Sequence, residues 1–225
     1  MKLLALDTSS VACTVAIASD GEIVERHEVQ PREHTRLLVP MIQSALAEAQ
    51  IDAADLDGIV LGNGPGSFIG MRIATSVAQG MAHAVGIRIA PVSSLAAVAE
   101  EVFAIGEASH VVVTQDAHMD EVYLGVFARG PNGVCVTLSE SLHDQSAIGL
   151  SVASPHLVAA GEGWYRYPAL LEANREILDA HSEVRFPSAR WLLPQGEGLF
   201  RTGRAIEPSE VVPAYLRQTV AKAAV

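Results

Sequence analysis

The stretch from Asp57 to Gly86, DGIVLGNGPGSFIGMRIATSVAQGMAHAVG, constrains this chain more than any other. Gly58 to Gly62 is a short apolar run that reads as a buried parallel strand. Gly62-Asn-Gly-Pro-Gly-Ser67 is a glycine-rich turn in which Pro65 fixes its own φ. From Phe68 to Val85 the polar side chains are only Arg72, Thr75, Ser76, Gln79 and His83. A helix apolar nearly all round has to be covered on more than one side. Ile73, Val77 and Ala84 fall near one face; Met71, Ala74, Ala78 and Ala82 fall near another. Ser76, Gly80 and Ala84 recur at intervals of four, small enough to let a second helix come close. One face can go to the chain's own sheet, and the other calls for more of this protein or for a partner.

At 225 residues the chain fits one large domain or two small lobes. Its 49% hydrophobic content supports a proper core. No apolar run reaches the roughly 18 uninterrupted residues of a membrane span, because Arg72, Gln79 and His83 break the longest helix. The N-terminal Met1-Lys-Leu-Leu-Ala-Leu-Asp7 runs straight into a strand and lacks signal-peptide features. Cys13 and Cys135 sit singly in apolar runs, a reduced usage that implies a cytoplasmic protein. A net charge of −11 argues against autonomous nucleic-acid binding, which rests on neutralising phosphates.

Taken in order, Lys2–Thr8, Val11–Ser19 and Glu22–Gln30 read as a three-stranded antiparallel meander. Asp20-Gly21 is its hairpin signal, and Asp7 lies at the carboxyl end of the first strand. A helix follows from about His34 to Gln50, with Thr35 as candidate N-cap. Leu38, Met41, Ile42, Ala45 and Ala49 form its stripe, which Leu37, Val39 and Leu46 widen beyond one face. Pro40 removes one backbone hydrogen bond and is expected to bend it. Arg88–Val92 is a strand, and Ser93 can cap a helix Leu95–Phe103. A second half starts near Glu107, with strands at His110–Gln115, Glu121–Ala128 and Val134–Leu138. Beyond Ser141 the pattern weakens to a strand at Leu157–Ala160 and helices at Tyr167–Asp179 and Ser188–Phe200. The order β-β-β-α-β-α-β-α followed by a degraded second meander predicts an α/β, actin-like (ribonuclease-H-like) fold. Its N-terminal lobe spans residues 1–105 and a smaller, degenerate lobe spans 106–225.

The glycine turn invites a phosphate-binding reading, since such loops present backbone N–H groups to anions. The specific signatures fail. A P-loop ends in Gly-Lys-Ser/Thr, whereas Gly70 is followed by Met71-Arg72. A dinucleotide fingerprint follows the first strand with a different glycine spacing. Ser67 lacks the flanking glycines of a nucleophile elbow, since Pro65 and Ile69 stand there, and reads as the helix N-cap. His34 has Leu38 rather than histidine at i+4, so no metal site is expected. Asp7, Asp116 and Asp120 sit at strand ends, where carboxylates are also ordinary turn residues.

Leu4-Ala-Leu-Asp-Thr-Ser-Ser10, Glu33-His-Thr-Arg-Leu-Leu-Val-Pro40, Gly64-Pro-Gly-Ser-Phe-Ile-Gly-Met-Arg-Ile73, Asp116-Ala-His-Met-Asp-Glu-Val-Tyr123 and Pro213-Ala-Tyr-Leu-Arg217 together resemble the TsaB (YeaZ) family along nearly the whole chain. Ile69 stands where that family usually has Thr, and His118 where it usually has Arg. The resemblance implies a non-catalytic scaffold subunit acting in N6-threonylcarbamoyladenosine formation at adenosine 37 of tRNAs that read codons beginning with A. It implies pairing with TsaD, the catalytic paralogue, and with the ATPase TsaE, tRNA being held only through that complex. It implies a homodimer when the chain is alone, no cofactor of its own, and ATP or ADP only within the complex. The family's interface is built from the first two long helices, which here nominates Leu38, Met41, Ile42 and Ala45 on one and Met71, Ala74, Thr75, Ala78 and Ala82 on the other. Asp7, Gly64, Gly66, Ser67 and Asp116 are the candidates for a vestigial nucleotide cleft. The rival readings are a sugar-kinase-like ATPase acting through Asp7 and the glycine turn, and a peptidase with a nucleophilic serine.

Overall fold

The computed structural model describes residues 1–150, 154 and 156–217. Its first sheet consists of β1 (Leu3–Asp7), β2 (Ala12–Ser19), β3 (Glu22–Val29), β4 (Gly58–Gly62) and β5 (Arg88–Val92), in the spatial order β3-β2-β1-β4-β5. The meander turns at Asp20 and Gly21, whose φ values of 52° and 88° match the right-handed twist of the flanking strands. β4 and β5 then join in parallel. Parallel neighbours need crossovers, supplied by α1 (His34–Glu48) and α2 (Phe68–Val85).

Strand alternation sorts the core into two layers. Leu4, Leu6, Val15 and Ile17 pack with Leu38, Ile42, Ala74 and Ala78 of α1 and α2. Leu3, Ala5, Val60 and Ala90 face the other way. Beyond that second face lies α3 (Ser94–Ile105), capped by Ser93, whose Oγ accepts from the Ala96 amide at 3.2 Å. Every residue from Ser94 to Glu100 is buried. This, rather than α2, is the helix covered on all sides, because both sheets pack on it.

The second sheet contains β6 (His110–Asp116), β7 (Glu121–Arg129), β8 (Cys135–Asp144), β9 (Leu157–Ala160) and β10 (Ala180–His181), ordered β10-β9-β6-β7-β8. It repeats the connectivity of the first sheet: an antiparallel meander, then two strands added in parallel beside its first strand. Two such sheets around a shared helix make this the actin-like, ribonuclease-H-like fold. The second copy is reduced, with a last strand of two residues and short helices α4 (Glu162–Arg166) and α5 (Pro168–Ala173). Trp164 of α4 anchors the outer face of that sheet, fully buried, with Nε1 donating to the Val112 carbonyl at 3.1 Å.

Three expectations need correcting. The helix expected over Tyr167–Asp179 is the short α5 instead, preceded by α4. Thr35 lies exposed inside α1, and the N-cap is Glu33, which makes no side-chain capping bond. The split at 105/106 also misplaces the tail. From Ala189 the chain returns to the first sheet, where Leu192 and Leu193 at the start of α6 (Leu193–Arg201) join Leu3, Ala5 and Val60. Ile206 then bonds Ile89 through both backbone groups, at 2.9 and 3.0 Å. The reason is coverage: the inner face of the first sheet is wider than α3, and apolar residues of the tail complete it.

Candidate functional site

The glycine turn folds directly onto the residues that follow β1. The Ser67 amide donates to the Ser9 carbonyl at 2.6 Å, and Thr8 Oγ1 donates to the Gly70 carbonyl at 2.7 Å. A Cβ at Gly66 would collide with that Ser9 carbonyl, and one at Gly70 with the carbonyl of Thr8. Close backbone approach is therefore what these two glycines permit. Asp7 is wholly buried beside them. Its Oδ1 accepts from the Ser9 amide at 2.6 Å and its Oδ2 from the Ser94 hydroxyl at 2.5 Å. Ser94 Oγ in turn accepts from the Gly64 amide at 3.0 Å, and the Ser94 amide donates to the Gly64 carbonyl at 2.8 Å. Burial pushes the Asp7 carboxyl above its ordinary value, while the hydrogen bonds from Ser94 and Ser9 oppose the shift.

This network bears on the phosphate reading. An anion site at a helix start needs free N–H donors. Here the amides of Asn63, Gly64, Ser67 and Gly70 are already bonded, to the Val92 carbonyl, Ser94 Oγ, the Ser9 carbonyl and Ser67 Oγ respectively. Of the five cleft candidates, Asp7, Gly64, Gly66 and Ser67 come together, but as a closed seam between β1, α2 and α3. Asp116 belongs elsewhere. It accepts from the His118 amide and the Tyr167 hydroxyl, each at 2.9 Å, and lies 3.2 Å from His118 Nδ1. Burial and the adjacent Asp116 carboxylate push the Tyr167 phenol up to about 12. Asp116 holds the position at the end of β6 that Asp7 holds at the end of β1, yet shares no partner with it.

Ser67 is the N-cap of α2, its Oγ accepting from Gly70 N at 3.2 Å. His34 is buried at the start of α1, with Nε2 2.9 Å from the Ser10 carbonyl. Among the described residues no group of three or more His, Cys, Asp or Glu could hold a metal. Both cysteines are free and buried, and burial pushes the Cys13 thiol up to about 12.

The nine residues nominated for an interface all lie inside the molecule. Leu38, Met41, Ile42, Ala45, Met71, Ala74, Thr75, Ala78 and Ala82 are each at most 7% exposed. They form the undersides of α1 and α2. Gly70, Ala74, Ala78 and Ala82 recur every fourth residue, and their small size lets α2 lie close on the sheet. What the two helices leave uncovered is their other side. Val39 is 45% exposed and Ile69 71%, and Ser76, Gly80 and Ala84 are exposed along the crest of α2. A groove of about 390 Å³ runs between the helices, walled by His34, Thr35, Leu38 and Val39 on α1 and by Ile69, Arg72, Ile73, Ser76 and Val77 on α2. Thr35, Val39, Ile69 and Arg72 are not among the residues that the sequence nominated for the interface. The signal available was the second apolar face of α2, with Ile73, Val77 and Ala84.

A family model described as TsaD, tRNA N6-adenosine threonylcarbamoyltransferase, matches residues 23–151. The chain is 33% identical over 228 residues to the tRNA threonylcarbamoyladenosine biosynthesis protein TsaB of Escherichia coli (strain K12), covering 98% of this chain and 96% of that one. It is 32% identical to the protein of the same name from Haemophilus influenzae, covering 98% and 95%. Its fold superposes on the structure of YeaZ from Pseudomonas aeruginosa with a TM-score of 0.89 at 34% identity, covering 96% of this chain and 99% of that one. A second Pseudomonas aeruginosa structure, described as an uncharacterized protein with similarity to peptidase YEAZ, gives a TM-score of 0.88 with the same identity and coverage. Near-full-length identity in sequence and superposition in fold agree, and the chain belongs to the TsaB family.

Proposed function

We propose that this chain serves in tRNA threonylcarbamoyladenosine formation as a non-catalytic subunit, pairing with a TsaD-type transferase through the uncovered faces of α1 and α2. The observation that carries the reading is the apolar groove between these helices: Val39 and Ile69 line it exposed, and Ile73 and Val77 are only partly covered by the chain itself. An exposed apolar surface of this kind rimmed by polar residues marks a protein contact. The closed seam at Asp7 supports the non-catalytic part, because four amides of the turn that would hold a phosphate are already bonded to the chain's own carbonyls and hydroxyls. On this reading TsaE joins the pair, any ATP or ADP is bound only in the assembled complex, and tRNA is held through it, in the cytoplasm. Among the described residues no helix is long and apolar enough to cross a membrane. The same groove serves a homodimer when the chain is alone.

Sedimentation of the chain alone and mixed with TsaD from the same organism tests this. A self-associated species should give way to a one-to-one heterodimer. A chain that stays monomeric and ignores TsaD refutes it. The ATPase reading then returns, and ATP turnover by the isolated chain, lost in Asp7→Asn, would establish that alternative.

A further inference from the structure

The stretch Pro208–Arg217 belongs to neither sheet and crosses between them. It first lies along α2, where Gln79 Nε2 donates to the carbonyls of Pro208 and Val211 at 2.8 and 3.3 Å. It then pairs with the glycine turn: the Ala214 amide donates to the Asn63 carbonyl at 3.0 Å, and Asn63 Nδ2 to the Val212 carbonyl at 3.0 Å. The Tyr215 ring lies 5.5 Å from the Phe68 ring at a tilt of 42°, and its hydroxyl accepts from Arg72 Nε at 3.1 Å. The Arg72 guanidinium lies 3.7 Å over the Phe68 ring. All of these anchors are in the first lobe.

Two residues later Arg217 engages the second lobe. Its Nη2 is 2.6 Å from Glu121 Oε2 and donates to the carbonyls of Ala117 at 2.7 Å and His118 at 3.3 Å. Those carbonyls belong to the β6–β7 turn, in which His118, Met119 and Asp120 have φ of 59°, 57° and 61°. Three successive non-glycine residues in the left-handed region are unfavourable for L-residues and persist only when their surroundings hold them. Nη2 faces the carboxylate and both carbonyls, while Nη1 lies 3.1 Å from Met119 Sδ, so the two ends of the planar guanidinium touch the turn at separate points, which a lysine ammonium does less well.

We propose that Pro208–Arg217 is a clasp that fastens the second lobe to the first, with Arg217 as its hook and the strained turn His118–Asp120 as its catch. Its anchor on α2 and its hook on the turn act as one unit, so loosening either end loosens the turn. The clasp holds the lobes together beside the Asp7 seam. It stands independently of any partner, because every residue in it belongs to this chain.

Amide hydrogen exchange of the full chain tests the clasp, followed at Ala117, His118 and Glu121, whose amides bond to the Glu121 carbonyl, Asp116 Oδ1 and the His118 carbonyl. Arg217→Ala should speed exchange at these amides by about tenfold or more, since carbonyls and an ion pair lose their partner. Arg217→Lys should fall between that variant and the parent. Tyr215→Ala, which leaves Arg217 in place, should also speed the turn, while β1 and β4 amides keep their parental rates in all three variants. A turn that responds to Arg217→Ala but not to Tyr215→Ala makes Arg217 a local prop and overturns the clasp. So does acceleration of β1 and β4 in step with the turn, which would mean that the turn opens only with the whole fold.

Discussion

Ser76→Glu is the sharpest test of the proposed docking face. Ser76 is exposed on the crest of α2 and walls the groove, so the new carboxylate remains in water while the chain is alone. Exposed substitutions of this kind stay within about 0.5 kcal/mol. For a chain of this length that is a shift in Tm of about 2 °C or less. If a partner helix covers the groove, the same carboxylate is buried against Ile73 and Val77, and Arg72 on that wall is already engaged by the Phe68 ring and Tyr215. Desolvating an unpaired charge costs several kcal/mol. Even about 2.8 kcal/mol, two factors of ten, would move a submicromolar association into the tens of micromolar. Titration calorimetry with TsaD and sedimentation of the chain alone should show both assemblies lost at unchanged Tm. A variant that binds TsaD as tightly as the parent would refute the placement of the interface on this groove. Ala78→Glu makes the necessary contrast: Ala78 is wholly buried against the first sheet, so that variant should lose the fold itself and says nothing about docking.

Ser94→Ala should destabilise the chain by about 2–4 kcal/mol in urea unfolding, because a buried carboxylate oxygen and a backbone amide lose their shared partner. Asp7 is bound to a proton more readily when folded than when unfolded, since burial raises its pKa. Stability from this group is therefore greatest below the unfolded carboxylate range and declines as pH rises through the folded value. Asp7→Asn, which removes that titration, should gain on the parent as pH rises from 3 to 7. A parent and variant that stay parallel across that range would contradict the raised value. Ser67→Ala should cost about 1 kcal/mol as a lost N-cap while association with TsaD is retained, and a serine-directed hydrolase probe should label neither form. Cys13 and Cys135 should resist a thiol reagent at pH 8 in the folded chain and react once it is unfolded, because burial raises both thiols. Fast labelling of the native protein would show that one of them is accessible.

Much of the first lobe is legible in the sequence because its signals are local. The ends of α2 at Phe68 and Val85 follow from the cap at Ser67 and from Gly86, which has φ of 79°. β5 spans Arg88–Val92 and β9 spans Leu157–Ala160 as read from their apolar runs. The second lobe was harder. Its helices are only five and six residues long, too short for a 3.6-residue period to stand out from noise. The homing of residues 189–206 onto the first sheet left no local trace, since it depends on pairing across more than a hundred residues.

The docking face shows where sequence reasoning ends. Periodicity alone established that α2 carries two apolar faces and that the chain's own sheet can cover one. It did not establish which one. The face of Gly70, Ala74, Ala78 and Ala82 is less hydrophobic than that of Ile73 and Val77, yet it is the one buried. Small side chains let the helix axis approach the sheet, so packing distance outweighs hydrophobic content. The glycine turn was likewise legible as a turn, but its closure by the Ser9 carbonyl and Ser94 joins residues up to 58 positions from Ser67 or 30 from Gly64. The sequence by itself determined the order of strands and helices in the first lobe, and the family. Only the tertiary structure decided which surfaces remain free, because burial is set by what packs on a face and not by what the face contains.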